Sequence, residues 1–526
     1  MLNRLVSDWL CEEIVMDKKT INAVKRYRTA RLAKLIGQAY LLHRKKKTTE
    51  IATLICDEFV ALGGVYLKFL QGVLLRSKMM RMWQSPDKLR IFENIDSEPM
   101  DIGAVLHTEL GPNVSRIARV QPQPFAAGTF GQVYYGELHD GRPIIIKVLR
   151  PMIRETLRYD LRLLRTFMQR FYLKFTTKNM DTDSRQALKD FTDATMNETN
   201  YRAEVAFAKE LYEYYKDNRE LYIPETFAEL CTDNIIVQEY VSGISVAQLI
   251  KLKEQGVEPA RYVKEQIGSD LEKQMELLGY ELLRGAFDFE HIQGDPHPGN
   301  IRLLPNNHVG LIDFGISANA PNDKASFFAL IEAYNGLFLG TQGVADLFDK
   351  TLRFFVKDLY RSLMTISKYL GDAAEKALPK QIGIIAERSF ERVTGKTVVQ
   401  MEDGKEDLAL VEANKIFNEG NRFGLVMRFD DTQVMRAAQS YMTLLFSLGL
   451  YKTVLPRITT RLIGYVTKKY PHIADEEPSV PIGDAIEEVA SWLERVAEKD
   501  PKLFRELSNK IKTKTDGIIS TGEKNG

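Results

Sequence analysis

The sequence predicts an α+β fold, with a small antiparallel sheet set within an otherwise helical chain of 526 residues. Residues 1–120 contain long mixed apolar and basic stretches with few helix breakers, which favours helices. In 121–151, β-rich runs flank a loop of small residues and the hairpin signal HDG, and NIIVQEYVSG (234–243) adds another strand. Helical periodicity covers 152–217 and most of the chain from 245 onward, apart from one Pro/Gly loop and the short strand in HVGLIDFG.

Composition indicates an ordinary globular protein, since 44% of the residues are hydrophobic and 27% are charged. A formal net charge of +1 argues against a strongly basic nucleic-acid binder, so no nucleic-acid partner is expected. The three cysteines (Cys11, Cys56 and Cys231) are far apart and form no CxxC pair. This spacing favours a reducing, cytoplasmic setting over a disulfide framework or a structural zinc site.

The N-terminal stretch MLNRLVSDWLCEEIVMD is interrupted by acids, and it is interpreted as neither a signal nor a transit peptide. The longest apolar stretch, YMTLLFSLGLY (441–451), is too short to span a bilayer and predicts a buried helix. The expected protein is soluble or at most peripheral to a membrane.

Residues 18–47 carry many basic side chains and no acidic one, with Leu32, Leu35 and Ile36 among the apolar residues at helical spacing. A helix of this kind suits an anionic membrane surface. It equally suits a solvated helix face packed on the protein's own core, and the sequence leaves both interpretations open.

Four elements in a fixed order point to a nucleotide-phosphate site. The first is AAGTFGQV, which differs from the kinase loop GxGxxGxV at the first glycine. Gly128 and Gly131 are expected to let backbone N–H groups approach phosphate oxygens. The candidate nucleotide-binding residues in this loop are Ala126, Ala127, Gly128, Thr129, Gly131 and Val133.

The second element is Lys147, which follows three isoleucines and therefore needs a paired charge. The third is the helix NETNYRAEVAFAKE, in which Glu204 is a better candidate partner for Lys147 than Glu198. The fourth combines QGDPHPGN with DFG. Asp295 and Asn300 keep the spacing of the kinase catalytic loop, and Asn300 with Asp313 supplies the oxygen ligands that Mg²⁺ prefers.

Together with QEYVSG, these motifs resemble the UbiB/AarF family of atypical protein-kinase-like proteins over roughly residues 55–450. LGGVYLKFLQG occupies the place of that family's KxGQ motif, with Lys68 and Gln71 as its matching residues. The resemblance implies a protein-kinase-like two-lobed fold with a small antiparallel β-sheet N-lobe, a helical C-lobe and helical extensions at both ends. It also adds Glu239 and Val241 to the candidate nucleotide-binding residues, and Glu198 to the family-motif residues.

The resemblance further implies ATP and Mg²⁺ as cofactors, with Asp295, Lys147 and Asn300 as catalytic residues. It implies ATPase activity or unorthodox phosphotransfer linked to isoprenoid-quinone or other prenyl-lipid metabolism at a membrane, with a lipid or prenyl-quinone precursor as a partner. ISANAPNDKASFFALIEAY passes almost at once from DFG into a helical pattern, which leaves little room for a peptide-docking segment.

The sequence departs from the family pattern at four positions, where it has Leu70, Asn200, Gln293 and Gly128. Leu70 replaces the glycine of KxGQ, Asn200 the second acid of ExD, and Gln293 the histidine before the catalytic aspartate. Gly128 replaces an alanine, and the hypothesis is that it permits closer phosphate approach.

Two alternatives to a UbiB-like enzyme remain open. The loop QGDPHPGN also suits a small-molecule kinase of the aminoglycoside or choline type, and the altered motifs suit a nucleotide-gated, non-catalytic binding module. TGKT (394–397) is interpreted as a chance likeness to a P-loop.

The sequence predicts five parts. They are a helical N-terminal extension carrying the KxGQ-like motif, an N-lobe, a C-lobe with the catalytic and DFG loops, a helical C-terminal extension, and a terminal helix with a disordered tail: 1–120, 121–243, 244–340, 341–475 and 476–526.

Overall fold

Two compact units make up the chain in the computed structural model. The first unit comprises Met1–Gly243 and Gly310–Ile316, and the second comprises Ile244–Val309 and Ser317–Gly526. The structure describes residues 18–72, 100–150, 153–176, 182–217, 220–321, 323–342, 344–370, 429–473, 480–505 and 508–509. The TGKT stretch and the tail STGEKNG lie outside the described residues, and the five-part division stays a prediction.

The first unit contains a five-stranded antiparallel sheet with the order β1-β3-β4-β6, in which β2 pairs with β3. Its strands are β1 (Ile117–Val120), β2 (Ala126–Ala127), β3 (Gly131–Leu138), β4 (Pro143–Leu149) and β6 (Ile235–Glu239), and the short β5 (Leu221–Tyr222) precedes β6 in the chain. β4 is buried along nearly its whole length, because it lies between β3 and β6. The α+β prediction with a small antiparallel sheet is therefore confirmed.

The described helices of the first unit precede the sheet or lie between its fourth and fifth strands. They are α1 (Lys18–Arg44), α2 (Thr48–Leu62), α3 (Gly64–Gly72), α4 (Ile102–Leu110), α5 (Ile153–Thr176), α6 (Thr182–Glu198) and α7 (Tyr201–Tyr215). The sequence analysis placed residues 1–120 in helices, and this is wrong at Ile117–Val120. These residues pair with β3 as an edge strand, a long-range contact that local composition does not reveal.

The basic segment forms α1, which packs on the core of the first unit through Leu32, Leu35 and Ala39. Arg28 of this helix forms an ion pair with the buried Asp160 of α5. Arg31 donates a 2.7 Å hydrogen bond to Glu58 of α2. Part of the basic charge of α1 is therefore used inside the unit, while its membrane contact stays a prediction.

In the second unit, helices surround two short strand pairs, β7 (Ile244–Ser245) with β9 (Ile301–Leu303) and β8 (His291–Gln293) with β11 (Ser317–Asn319). The strand β10 (Val309–Leu311) lies where the chain passes from the second unit to the first. The helices are α8 (Val246–Glu254), α9 (Pro259–Ile267), α10 (Leu271–Asp288), α11 (Lys324–Leu339), α12 (Val344–Phe355), α13 (Lys357–Leu370), α14 (Phe429–Leu448), α15 (Tyr451–Lys469) and α16 (Ile482–Lys499).

Two details of this unit bear on the sequence predictions. The stretch 441–451 was expected to be one buried helix; α14 ends at Leu448 and α15 begins at Tyr451, with the left-handed Gly449 between them. Helix α11 begins at Lys324, where Asp323 caps it by accepting a hydrogen bond from the Ser326 amide. The short connection from DFG to a helix is therefore confirmed.

Close packing of α10 against α14 and α15 depends on Gly279. A Cβ added there would lie 2.4 Å from the Ile458 side chain and 2.6 Å from the Tyr441 ring. We expect Gly279→Ala to lower the free energy of unfolding by about 1–3 kcal/mol through overpacking, despite the better helix propensity of alanine.

Gly464 in α15 is the matched control, since a Cβ there would meet nothing within 4 Å. We expect Gly464→Ala to be neutral or to stabilise by up to about 1 kcal/mol. Thermal unfolding of both variants, followed by circular dichroism, measures the two effects. Equal shifts in the two variants would contradict the packing argument.

Candidate active site

Lys147 lies in β4 and is buried, with its backbone paired to Val133 on one side and Ile236 on the other. Its Nζ is 2.6 Å from Oε1 of Glu204 and 3.4 Å from Oδ2 of Asp313. A buried ammonium group is unfavourable unless it is paired in this way. Burial acts to lower the pKa of Lys147, but the two carboxylates outweigh it and raise the pKa above its usual value. The side chain is therefore a fixed positive charge.

Glu204 lies in the first turn of α7, a helix that begins at Asn200 because that side chain accepts a hydrogen bond from the Ala203 amide at 3.3 Å. Burial raises the pKa of Glu204, and the charge of Lys147 opposes this rise. The backbone N–H of Phe314 also donates to the Glu204 carboxylate. Glu204 thereby connects the strand lysine to the DFG segment. Of the two glutamates weighed in the sequence analysis, Glu204 is the partner of Lys147.

The DFG segment is held by its central residue. Phe314 is buried and packs edge-on against Phe207 of α7, with ring centroids 6.3 Å apart. Asp313 Oδ1 accepts a 3.0 Å hydrogen bond from the Gly315 amide, while the Asp313 side chain stays 42% exposed. The segment therefore presents a carboxylate that is both fixed in place and accessible to an ion from solution.

The glycine-containing loop is a tight turn in which the Gly128 amide donates to the Gly131 carbonyl at 2.8 Å. Arg150 secures it by donating to the Gly128 carbonyl at 2.9 Å. Within the described part of the chain, no group accepts a hydrogen bond from the amides of Thr129 or Phe130. These two amides, rather than that of Gly128, are the ones available to a phosphate oxygen. Arg150 was missed in the sequence analysis, although it follows Lys147 by only three residues.

The two glycines of the loop have different roles. A Cβ at Gly131 would lie 2.7 Å from the Val148 carbonyl oxygen, so glycine is needed there for strand packing rather than for phosphate approach. A Cβ at Gly128 would meet only the Gly131 carbonyl oxygen, at 3.8 Å. Space for a side chain is therefore present at Gly128 and absent at Gly131, and phosphate approach at both glycines stays a prediction.

The donor set of the first unit fits a phosphate and a divalent cation. Two free amides and the fixed charge of Lys147 can bind phosphate oxygens. The accessible Asp313 supplies an oxygen ligand of the kind Mg²⁺ prefers. In the described residues, no cluster of three or more His, Cys, Asp or Glu side chains is arranged for a metal ion.

Other candidate nucleotide-binding residues lie on the same sheet. Ala126 and Ala127 form β2 and pair with Val133 and Gln132 of β3. Glu239 ends β6, and its carboxylate accepts hydrogen bonds from the Tyr222 hydroxyl at 2.5 Å and the Glu225 amide at 3.3 Å. Val241, two residues further on, is buried. Both side chains are thus engaged within the protein, and their nucleotide contact stays a prediction.

The loop that contains Asp295 and Asn300 belongs to the second unit. It follows β8 and ends in a 3₁₀ turn at Pro298–Asn300, directly before β9. His297 caps this turn by accepting a 3.1 Å hydrogen bond from the Gly299 amide, and its carbonyl accepts one from the Asn300 amide at 2.8 Å. The Asp295 amide donates to the buried Gln293 side chain at 3.3 Å. These hydrogen bonds therefore determine the conformation of the loop. The predicted catalytic roles of Asp295 and Asn300, and the predicted binding of Mg²⁺ by Asn300, stay predictions.

A protein-family model matches the part of the chain that contains these segments. Residues 93–335 match the ABC1 atypical kinase-like domain. This stretch is an ABC1 atypical kinase-like domain. Relatives of the chain include proteins named UbiB, which confirms the predicted relationship to the UbiB/AarF family.

Among curated relatives of the ABC1 family, "Protein ACTIVITY OF BC1 COMPLEX KINASE 3, chloroplastic" of Arabidopsis thaliana is 27% identical over 55% of this chain and 38% of its own length. "Probable protein kinase UbiB" of Aeromonas salmonicida is 26% identical over 52% of this chain and 48% of its own length. The matched region therefore spans less than half the length of these relatives. Among solved structures, an erythromycin complex of Rv3197 from Mycobacterium tuberculosis covers 80% of this chain and 97% of that chain, at 19% identity and a TM-score of 0.40.

The KxGQ-like motif of this ABC1 protein lies in α3. Lys68 forms an ion pair with Glu198, at the end of α6, and its Nζ lies 5.4 Å from the ring centroid of Phe130 in the glycine-containing loop. Leu70 is fully buried in the core of the first unit. Gln71 lies in the same helix. The helical extension of the ABC1 protein thus contacts the loop that is the candidate phosphate site.

Gly128→Ala tests the departure of this ABC1 protein from the alanine-rich loop. The added methyl group meets no close neighbour, so we expect a normally folded protein. Its ATP affinity should change by about 5- to 30-fold, since a group that sits against a phosphate contributes about 1–2 kcal/mol. Gly131→Ala is the matched variant and should instead lower the unfolding temperature. Isothermal titration with ATP and ADP measures the affinities, and unchanged binding of both nucleotides in Gly128→Ala would refute the hypothesis.

Proposed function

We propose that this ABC1 protein binds Mg-ATP and acts as an atypical kinase or ATPase. The observation that carries the proposal is the buried ion pair of Lys147 with Glu204 beside the exposed carboxylate of Asp313. The nearby sequence supplies a loop in which the amides of Thr129 and Phe130 have no acceptor among the described residues. A fixed cation, an exposed carboxylate and free amides from three separate segments are the groups that phosphoryl transfer requires. Kinase-named relatives support the same assignment.

Each residue has a distinct role in this proposal. Lys147 binds phosphate oxygens while Glu204 keeps its ammonium group charged and oriented. Asp313 and Asn300 are the proposed Mg²⁺ ligands, and Mg²⁺ when bound would neutralise charge on the phosphates. Asp295 orients the attacking hydroxyl of the acceptor or of water and accepts its proton. Ion pairing with Glu198 holds Lys68 beside the loop, so the helical extension restricts which acceptors can enter.

The proposed acceptor class is lipid-linked, in or near isoprenoid-quinone or other prenyl-lipid metabolism at a membrane surface. Its support is the family relationship and the basic α1 helix, on which Leu41 is 60% exposed. None of the helices in the described part of the chain has both the length and the apolar character needed to cross a bilayer. A peripheral contact through α1 is the form of membrane association that we propose.

ATP binding and turnover of the purified chain test the proposal. We expect saturable ATP binding by isothermal titration that is lost with excess EDTA, and phosphate release that increases with vesicles containing anionic lipid. Vesicles of neutral lipid are the control for the membrane effect. ATP binding without turnover under any of these conditions would instead favour the nucleotide-gated, non-catalytic module. Failure to bind ATP would overturn the proposal.

A further inference from the structure

The second unit contains an apolar cavity between helices α10, α11, α14 and α15. Its volume is about 100 Å³, and its walls include Leu283, Phe327, Ile331, Met442 and Leu455. A cavity needs about 10–15 Å³ of such space to hold one water. The space is therefore large enough for a small organic group rather than for a single water.

The chemistry of the wall excludes a charged occupant. None of the lining residues that the structure describes is charged, and burial of an unpaired charge against such a wall is strongly unfavourable. Apolar side chains dominate, and a few polar groups lie among them. A largely apolar, uncharged molecule is the class of ligand that this surface accommodates.

One hydroxyl group in the wall is available to a ligand. Tyr441 donates its hydroxyl hydrogen to the Met275 carbonyl, and the Thr459 hydroxyl is 2.8 Å from the Asn335 side-chain oxygen. The Tyr334 hydroxyl has no hydrogen-bonding partner among the residues that the structure describes, and burial alone raises its pKa to about 12. A neutral phenol that is half-buried in the wall favours a hydrogen-bond acceptor supplied by the occupant.

The cavity also reaches the loop that follows β8. Gln293 forms part of its wall, and the side-chain oxygen of Gln293 accepts the hydrogen bond from the Asp295 amide. A ligand that contacts Gln293 therefore acts on the residue that holds the start of this loop. This link lies wholly within the second unit.

We propose that this cavity binds an uncharged, largely apolar molecule with one hydrogen-bond acceptor, which Tyr334 anchors, and that occupancy stabilises the 293–295 segment through Gln293. The inference goes beyond nucleotide binding and does not depend on it.

Binding of Nile red, an uncharged apolar dye with a carbonyl acceptor, tests the site on the full chain. We expect saturable fluorescence enhancement that 1-dodecanol competes away. Tyr334→Phe removes only the hydroxyl group and should weaken dye binding by about 2- to 10-fold. Tyr369→Phe is the matched control, because Tyr369 is 73% exposed and lies outside the cavity wall.

A second variant tests the volume of the cavity. Ala438 lines the cavity, so Ala438→Phe should weaken Nile red binding at least about 10-fold by filling it. Ala490→Phe places the same side chain on an exposed position of α16 and should leave binding unchanged. Thermal unfolding establishes that each variant is folded. If Ala438→Phe does not fold, Tyr334→Phe decides the question alone.

Hydrogen–deuterium exchange of peptides covering 291–300 tests the link to the loop. We expect 1-dodecanol to slow exchange there by about 2-fold or more, because opening of the segment becomes less favourable. The proposal is overturned if the natural chain shows no saturable binding of the dye. That result would also follow if another segment of this chain fills the cavity. Equal dye binding by the natural chain and by Tyr334→Phe would show that the Tyr334 hydroxyl does not hold the ligand. Unchanged exchange at 291–300 would show that occupancy of the cavity does not stabilise the loop.

Discussion

Asp313→Asn is expected to abolish the Mg²⁺-dependent ATP turnover that we propose. The amide keeps the shape of the side chain but loses the negative charge and one oxygen ligand, so the cation is no longer held. We expect turnover to fall at least about 100-fold, since even residues that only support a metal ligand change affinity or activity by about 10- to 100-fold. Phosphate release at saturating ATP and increasing Mg²⁺ measures this loss.

Folding should survive this substitution, because Lys147 retains its 2.6 Å ion pair with Glu204. Asp233→Asn is the matched control: this aspartate of the same unit pairs with Arg154 and Arg202 and is 46% exposed. Loss of the Asp233 carboxylate should leave ATP turnover unchanged. Full turnover in Asp313→Asn, or an equal loss in Asp233→Asn, would contradict the role of Asp313 as a metal ligand.

Glu204→Leu is expected to destabilise the first unit strongly. It leaves the buried ammonium group of Lys147 with Asp313 alone, at 3.4 Å. Removal of one partner of a buried ion pair costs about 3–5 kcal/mol, because the other charge stays buried without compensation. Differential scanning calorimetry of the chain should show a large downward shift of the unfolding transition.

The double variant Lys147→Met/Glu204→Leu distinguishes the contribution of the ion pair to stability from its role in ATP binding. Replacement of both charges by apolar groups should recover most of the lost stability while ATP binding stays absent. Glu213→Gln, on the same helix, is the control, since its side chain is 62% exposed and pairs only at the surface with Lys216. If the double variant is as unstable as Glu204→Leu alone, the destabilisation does not come from an unpaired lysine.

Much of the first unit could be predicted because its signals are local. The β-rich runs of β3 and β4 and the turn HDG between them predict a hairpin without reference to the rest of the chain. The strand at Ile117–Val120 was missed, as were the short pairs β7–β9 and β8–β11. Strands of two to four residues carry too little periodicity, and their pairing depends on distant partners.

The two glycines of the loop, Gly128 and Gly131, also show what the sequence alone does not predict. Both were expected to face a phosphate, and sequence spacing does not distinguish them. The structure does, because the Val148 carbonyl oxygen lies where a Cβ of Gly131 would be, whereas the position at Gly128 is open. That difference arises from the register of β3 against β4, which is a property of the folded sheet.

By itself, the sequence determined the order of the motifs, and it predicted that a lysine after three isoleucines is costly to bury without a paired charge. Only the tertiary structure decided which glutamate it is. Glu198 is the last residue of α6 and Glu204 lies in the first turn of α7. The break at Thr199–Asn200, where Asn200 caps the second helix, lies between them. Glu198 pairs with Lys68 and Glu204 with Lys147, because the direction of each side chain follows from its own helix axis and not from its distance along the chain.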